Sequence, residues 1–278
     1  MADPAFYRAF EDRHRGSREL IKNRVRVYLP FLYPLRALYP DGVVLDLGCG
    51  RGEWLQLLRD EGFAAHGVDQ DVGMLSACAS LGLRTERRDM LETLRSQPEA
   101  SFMVVTGFHI AEHVPFPVLQ ELVAEALRVL KPAGLLILET PNAENLVVGS
   151  SSFYLDPTHQ RPLPPLLLAF LTEYAGFLRN KILRLQESPD LTAPDAPVSL
   201  LQVLAGVSPD YAVVAQKEAA PADLARLDAP FAQEYGLTLA DLAARYEAHL
   251  REEILRELKP RRKKPAAKGT DADETPKK

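Results

Sequence analysis

His109, Glu112 and His113 stand three and four residues apart, and in a helical turn those positions share one face. A later run, Asp156-Pro157-Thr158-His159-Gln160-Arg161-Pro162, adds another imidazole and another carboxylate. An imidazole titrates near neutral pH and can take a proton from a weak nucleophile such as a hydroxyl. On that reading His113 or His159 is a general base, Glu112 supports it, and Asp156 fixes the imidazole tautomer. The plainer alternative is that Glu112 and His113 only brace a loop.

A second constellation lies upstream. Val43-Val44-Leu45-Asp46-Leu47-Gly48-Cys49-Gly50-Arg51-Gly52 reads as a buried strand ending in a tight loop, with a helix opening at Glu53. Glycines suit positions with positive φ or close approach of a ligand to the backbone. The next apolar run ends in Asp69, about 20 residues on, where such folds place the carboxylate that holds a ribose. The alternative is an ordinary strand-to-helix turn with glycine for packing. A nicotinamide dehydrogenase is disfavoured, because the spacing is Gly-x-Gly-x-Gly and Asp46 precedes the first glycine.

The elements that must carry these groups alternate along the chain. Strands are predicted at Val43–Leu47, Ala64–Val68, Leu83–Arg87, Phe102–Thr106 and Leu135–Glu139, with helices between them. The clearest helix is Val118–Leu130, which Lys131-Pro132-Ala133-Gly134 should break. Such alternation implies an α/β fold with a doubly wound, mostly parallel sheet. Ile182–Leu185 and Tyr211–Ala215 fit antiparallel closing strands. Ser17 to Tyr39 reads as helical, bent or broken at Pro30 and Pro34, and Leu239 to Leu258 reads as one helix. The expected organisation is a helical cap over 1–40, a core over 41–218, a helical extension over 219–258 and a disordered polar tail over 259–278.

The chain has 278 residues, 46% of them hydrophobic, and a formal net charge of −5. That balance argues against a general nucleic-acid binder. Two cysteines do not make a disulfide framework, and a reducing, cytoplasmic setting is expected. The first residues lack the apolar core of a signal peptide, and no run is long enough to span a bilayer.

The glycine loop and Asp69 together resemble motifs I and II of class I S-adenosylmethionine-dependent methyltransferases. The resemblance implies a seven-stranded sheet and assigns roles. Gly48, Cys49 and Gly50 run against the methionine part of the cofactor, and Asp46 organises the loop. Asp69 accepts from the ribose hydroxyls, Gln70 lies against the adenine, and Asp89 with Met90 meets the adenine amine. Gly107 to His109, including Phe108, lie beside the sulfonium. Within Arg15-Gly16-Ser17-Arg18, Arg18 is a candidate clamp for the cofactor carboxylate or an acidic acceptor, the alternative being a helix start capped by Ser17.

The stretch from His109 resembles two O-methyltransferase groups, those of the ubiquinone pathway and those that modify plant small RNA at the 2′ oxygen. Both carry ExxEH after strand four, and the RNA enzymes add a TPN sequence and a later histidine that complete a divalent-cation site. Glu112, His113, Thr140-Pro141-Asn142 and His159 match. His109 replaces the first glutamate. The implied metal set is therefore His109, Glu112, His113 and His159, and its imidazoles favour Mn²⁺, Fe²⁺, Co²⁺ or Zn²⁺ over Mg²⁺. HxxEH is also a zinc-protease signature, but here it follows a strand of a methyltransferase-like sheet.

A longer resemblance covers Phe6 to about Lys217. Phe10-Glu11-Asp12, Arg15-Gly16-Ser17-Arg18, Leu45 to Trp54, Glu139 to Asn145 and Ser152 to His159 look like bacterial methyltransferases associated with polysaccharide glycosyltransferases. It implies a sugar hydroxyl of a surface polysaccharide such as O-antigen as acceptor, lipid-linked in some systems, and a chain-terminating role. Phe153 and Tyr154 could stack on a sugar face or close over the cofactor. A small diol or phenolic metabolite is the alternative acceptor, and a non-catalytic scaffold is a third reading. The C-terminal helix would dock a glycosyltransferase, the alternatives being a homo-oligomer contact or packing on the protein's own sheet. Membrane contact would be peripheral, at the inner face.

Overall fold

The computed structural model describes residues 16–194 and 196–258. Arg15, the Phe10-Glu11-Asp12 run and the tail from Lys259 lie outside the described residues.

A seven-stranded sheet forms the middle layer, in the order β3-β2-β1-β4-β5-β7-β6. Its strands are β1 (Val43–Leu47), β2 (Ala64–Asp69), β3 (Thr85–Arg87), β4 (Phe102–Phe108), β5 (Leu130–Pro141), β6 (Arg179–Leu185) and β7 (Asp210–Gln216). The first five pair in parallel, and β7 inserts antiparallel between β5 and β6. Chain order reverses at β1 and β4, which opens a crevice at the carboxyl ends of those strands.

β1, β4 and β5 are apolar on both faces because helices cover both. Leu45, Leu47, Val105 and Leu136 pack on one side with helix α6 (Phe116–Val129) and helix α8 (Pro165–Ala175). Val44, Val104, Leu135 and Ile137 pack on the other with α1 (Arg18–Val25), α2 (Leu29–Leu38) and α3 (Glu53–Asp60). Tyr28, Phe31, Leu32 and Leu35 have no exposed surface, so the N-terminal helices are part of this core. A 3₁₀ turn, Arg26–Tyr28, separates α1 from α2.

Three further helices matter for the crevice: α4 (Val72–Ser80), α5 (Met90–Ser96) and the short α7 (Leu146–Ser150). Beyond them come α9 (Leu200–Ala205) and α10 (Leu239–Leu258). The first half of α10 is anchored by buried Leu242 and by Arg245, which donates to the carbonyls of Leu191, Ala193 and Ala196.

Lys131-Pro132-Ala133-Gly134 does not delay strand five. β5 begins at Leu130 and passes through a register shift, with Ala133 at φ 58°. A Cβ on Gly134 would lie 2.7 Å from the Lys131 carbonyl oxygen, so this breaker sequence builds a bulge rather than a loop. No helix among the described residues is long and apolar enough to cross a membrane.

Candidate active site

The glycine loop turns on left-handed backbone. Gly48, Gly50 and Gly52 have φ of 67°, 52° and 78°, and Gly52 is the N-cap of α3. At Gly48 a Cβ would also meet Ile110 Cγ2 at 2.6 Å, so glycine is required there for space as well as conformation. Asp69 ties the loop to β2: Gly50 N donates to its Oδ2 at 2.8 Å, and Asp71 N donates to its Oδ1 at 2.8 Å. Asp46 is buried and accepts from Thr106 Oγ1 at 2.7 Å across β1 and β4.

A cavity of about 550 Å³ opens above this loop. Asp46, Gly48, Cys49, Gly50, Asp69, Met90 and Phe108 line one part of it, and His109, His113 and His159 line another. Phe108 is held by aromatic packing, stacked on Tyr28 at 5.3 Å and edge-on to Trp54 at 5.7 Å. Gln70 borders a smaller cavity of about 180 Å³ that shares Gly48, Asp69 and Met90 with the first. Gln70 Nε2 donates to Asp89 Oδ2 at 2.8 Å, while Asp89 Oδ1 caps α5 through the amides of Leu91 and Glu92.

Arg18 does not line the cavity, so the clamp gives way to the alternative, a helix start capped by Ser17, whose Oγ accepts from Leu20 N. Its guanidinium donates to the Arg51 carbonyl and to Gln56 Oε1, so it braces the back of the glycine loop. Arg24, six residues further along α1, borders the cavity instead.

The histidine cluster also departs from the helical-turn expectation. His109, directly after β4, has φ 54°, its N–H donating to the Glu139 carbonyl at 2.8 Å. The helical turn is a 3₁₀ turn that starts later, at Ala111. His109 is therefore separated from His113 and His159, a correction to the four-residue metal set. Its Nδ1 lies 3.2 Å from Glu112 Oε1 and its Nε2 lies 3.5 Å from Glu139 Oε1. Burial opposes charge on this ring, but the two carboxylates outweigh it and raise its pKa well above the usual value. His109 is an imidazolium bridging two buried acids.

Glu112, His113 and His159 do come together, each offering a ligand atom within 4.8 Å of the others. Glu112 is fully buried, with Thr140 Oγ1 donating to Oε2 at 2.8 Å. Burial works against its charge, yet His109 more than compensates and lowers its pKa, so it is a carboxylate. His113 is held neutral chiefly by burial. Its Nδ1 lies 2.8 Å from Thr158 Oγ1, and the threonine hydroxyl donates to Asp156 Oδ1 at 2.6 Å. With that proton committed to a carboxylate, the hydroxyl can only accept from His113, so Nδ1 carries the ring proton and Nε2 the lone pair. His159 Nδ1 lies 2.6 Å from the Phe153 carbonyl, an acceptor only, which gives this ring the same tautomer. The two rings pack edge-on with centroids 4.7 Å apart. Asp156 thus sets a tautomer as expected, but through Thr158 for His113.

Sequence reasoning missed Glu139, Asp210, Gln186 and Arg24, which also border the cavity. Asp210 opens β7, and burial pushes its carboxyl up to about 6. Glu139 is buried, accepting from Tyr28 Oη and from Gln186 Nε2. An acid inside an otherwise apolar strand, as at Glu139, is the one sequence signal that could have found it.

Comparison with known proteins agrees with this architecture. Residues 13–177 match the family model described as a methyltransferase domain. A crystal structure of an S-adenosylmethionine-dependent methyltransferase from Archaeoglobus fulgidus is 33% identical, with a TM-score of 0.67 over 76% of this chain and 100% of that one. A probable S-adenosylmethionine-dependent methyltransferase of Mycolicibacterium smegmatis is 32% identical over 134 residues, 48% of this chain and 51% of its own length. A ubiquinone biosynthesis O-methyltransferase of Leptothrix cholodnii is 32% identical over 152 residues, 52% of this chain. The chain spans only 51% and 62% of the lengths of these two curated relatives. The sheet order, the glycine loop and these matches lead to one conclusion: the chain belongs to the methyltransferase-domain family of class I S-adenosylmethionine-dependent methyltransferases.

Proposed function

We propose that the protein is an S-adenosylmethionine-dependent O-methyltransferase that acts on a sugar hydroxyl of a surface polysaccharide. The observation that carries the O-methyl reading is that His113 and His159 both line the cavity above the glycine loop, each with Nδ1 committed to a hydrogen bond and Nε2 left to accept a proton. S-adenosylmethionine supplies an electrophilic methyl carbon on sulfur. Asp46, Asp69 and the backbone of Gly48 to Gly50 hold the donor, and Gln70, Asp89 and Met90 border its adenine end. The acceptor oxygen forms its bond to the methyl carbon as the carbon–sulfur bond breaks, and His113 Nε2 takes the hydroxyl proton. Asp156 and Thr158 keep His113 in the tautomer able to do this.

Glu112, His113 and His159 would alternatively hold a divalent cation, and His113 Nε2 would then be a ligand in place of the base. Each imidazole has at Nδ1 the outer hydrogen bond that metal-bound histidines make, with Glu112 adding a carboxylate. A bound cation would lower the acceptor hydroxyl's pKa and orient two neighbouring oxygens. His109 stands outside that set and, as an imidazolium, holds Glu112 in place.

The sugar acceptor rests on the longer resemblance from Phe6 to about Lys217. A small diol or phenol is a second reading, favoured by relatives named ubiquinone biosynthesis O-methyltransferase. Labelled S-adenosylmethionine offered with sugars of defined terminal residue, and separately with catechols, with and without Mn²⁺, tests both. Label in a sugar methyl ether is the expected result, and label only in the catechol ether would select the second reading.

A further inference from the structure

The cavity has a second polar group besides His113 and His159. Glu139 of β5, Gln186 directly after β6, Asp210 at the start of β7 and Arg24 of α1 all border it. His109, Glu139 and Asp210 each bring a polar atom within 4.8 Å of the others. None of Arg24, Gln186 and Asp210 takes part in the glycine loop or in the proton transfer at His113. Strand order sets them apart from the donor. The glycine loop leaves β1 and Asp69 closes β2, whereas β7 is the third strand along from β1 on the other side. At the usual strand spacing that is roughly 14 Å. The tips of β5 and β7 are thus left to the acceptor.

The hydrogen bonds of this group are incomplete. Glu139 is satisfied, accepting from Tyr28 Oη and from Gln186 Nε2 at 3.0 Å. Gln186 commits its amide nitrogen there, and its Oε1 has no donor among the described residues. The Asp210 carboxyl feels the charges of His109 and Arg24 but accepts no hydrogen bond among the described residues. A carboxyl withdrawn from water without a donor costs stability until something supplies one. The Arg24 guanidinium, among the described residues, also donates to nothing. Gln186 and His109, both at this end of the cavity, have left-handed backbone, with φ of 67° and 54°. Side-chain-bearing residues adopt it rarely, and such strain gathers where a ligand is held.

These open positions define a ligand. Asp210 and Gln186 Oε1 need donors, and Arg24 needs an acceptor. A hydroxyl group is both. An ammonium would sit beside Arg24, and a carboxylate or phosphate would sit beside Asp210 and Glu139, so a charged group meets a like charge either way. We infer that Asp210, Gln186 and Arg24 bind non-reacting hydroxyl groups of the acceptor, which is an uncharged sugar held there while another of its hydroxyls meets His113. The inference deepens the sugar reading and rests on it. A catechol has no hydroxyl beyond its reacting pair and would leave Asp210 without a donor.

The test reads sugar binding apart from turnover. Methyl glycosides of mannose, rhamnose, glucose and galactose are titrated into the full chain holding S-adenosylhomocysteine, with saturation-transfer NMR as the readout. At least one should bind saturably. Asp210→Asn should weaken that binding about tenfold, and Gln186→Met about threefold, the scales of a hydrogen bond to a charged and to a neutral group. Thermal melting should show both variants folded, and their affinity for S-adenosylmethionine should be unchanged. The corresponding amino sugar and uronic acid should bind more weakly than the neutral glycoside. No binding by any neutral glycoside would overturn the inference, as would equal binding by wild type and both variants, or tighter binding of either charged sugar. Weakened S-adenosylmethionine binding in Asp210→Asn would assign the group to the donor and overturn it as well. So would a second Mn²⁺ in calorimetry that Asp210→Asn abolishes, because a cation would then be the occupant. Sugar binding that depends on Asp210, with no methyl transfer to any sugar, would count against the proposed reaction and leave the subsite standing. Methyl transfer to a sugar with the same KM in Asp210→Asn would keep the reaction and remove the subsite.

Discussion

Thr158 Oγ1 lies 2.8 Å from His113 Nδ1 and donates its own proton to Asp156. The threonine therefore transmits the carboxylate's influence to the ring. Thr158→Val keeps the shape and removes both hydrogen bonds. Turnover should fall by roughly 10–100-fold, the range for lost support of a metal-bound or catalytic imidazole. Cofactor affinity should be unchanged by calorimetry, and Thr158→Ser should restore most of the rate. Equal rates for the valine and wild-type proteins would remove the relay from the account.

His113→Ala and His159→Ala should each lower turnover by about 10²–10⁴-fold, the usual scale of general-base loss. Both rings sit beyond the glycine loop in the cavity, so binding of S-adenosylmethionine should be nearly intact. Weakened cofactor binding with unaltered turnover would contradict these roles.

Gly48→Ala should weaken cofactor binding. The new methyl group would meet Ile110 Cγ2 at 2.6 Å on backbone at φ +67°, so the loop must move. Asp69→Ala should act in the same direction, because it removes the acceptor of the Gly50 and Asp71 amides. Pairing Gly48→Ala with Ile110→Ala separates the clash from the φ cost. If the pair binds cofactor no better than Gly48→Ala alone, strain and not the clash dominates.

Chelation tests the cation at Glu112, His113 and His159. Dialysis against chelator should lower the rate, and Mn²⁺ should restore it. Calorimetry should show one Mn²⁺ bound by the wild type and none by His159→Ala. An unaffected rate would leave the histidine base without a cation.

Asp210 gives a pH signature in stability. Its folded carboxyl titrates near 6, above the ordinary 3.8 expected when unfolded, so the folded state holds this proton more tightly. The resulting stabilisation is present in full below about pH 4 and is lost as pH rises through 6. Asp210→Asn lacks this loss. Its melting temperature, relative to wild type, should improve between pH 4.5 and pH 7. An identical difference at both pH values would show that Asp210 does not carry the shift.

Much of the sheet was legible because its signals are local. Val43–Leu47 needed only an apolar run before glycines, and that strand matches in full. Leu239–Leu258 needed only helical spacing of its apolar positions. Asp46, the glycines and Asp69 follow from chain geometry, since a strand, a tight loop and a second parallel strand allow few arrangements.

The partners of His109 depended on tertiary structure. Sequence spacing placed it on a helical face with His113, but its backbone N–H is bound to the Glu139 carbonyl of the neighbouring strand. That bond holds residue 109 against β5, and the ring then meets Glu112 and Glu139. Arg18 braces the loop and Arg24 borders the cavity for a similar reason: both lie on α1, and only the docking of that helix on α3 decides which of them meets the loop and which the cavity. By itself the sequence determined the sheet, the cofactor loop and the residue types available for chemistry, because these follow from periodicity and backbone conformation over a few residues. Only the tertiary structure decided which acids and imidazoles meet, because those distances depend on strand pairing and helix docking between residues far apart in the chain.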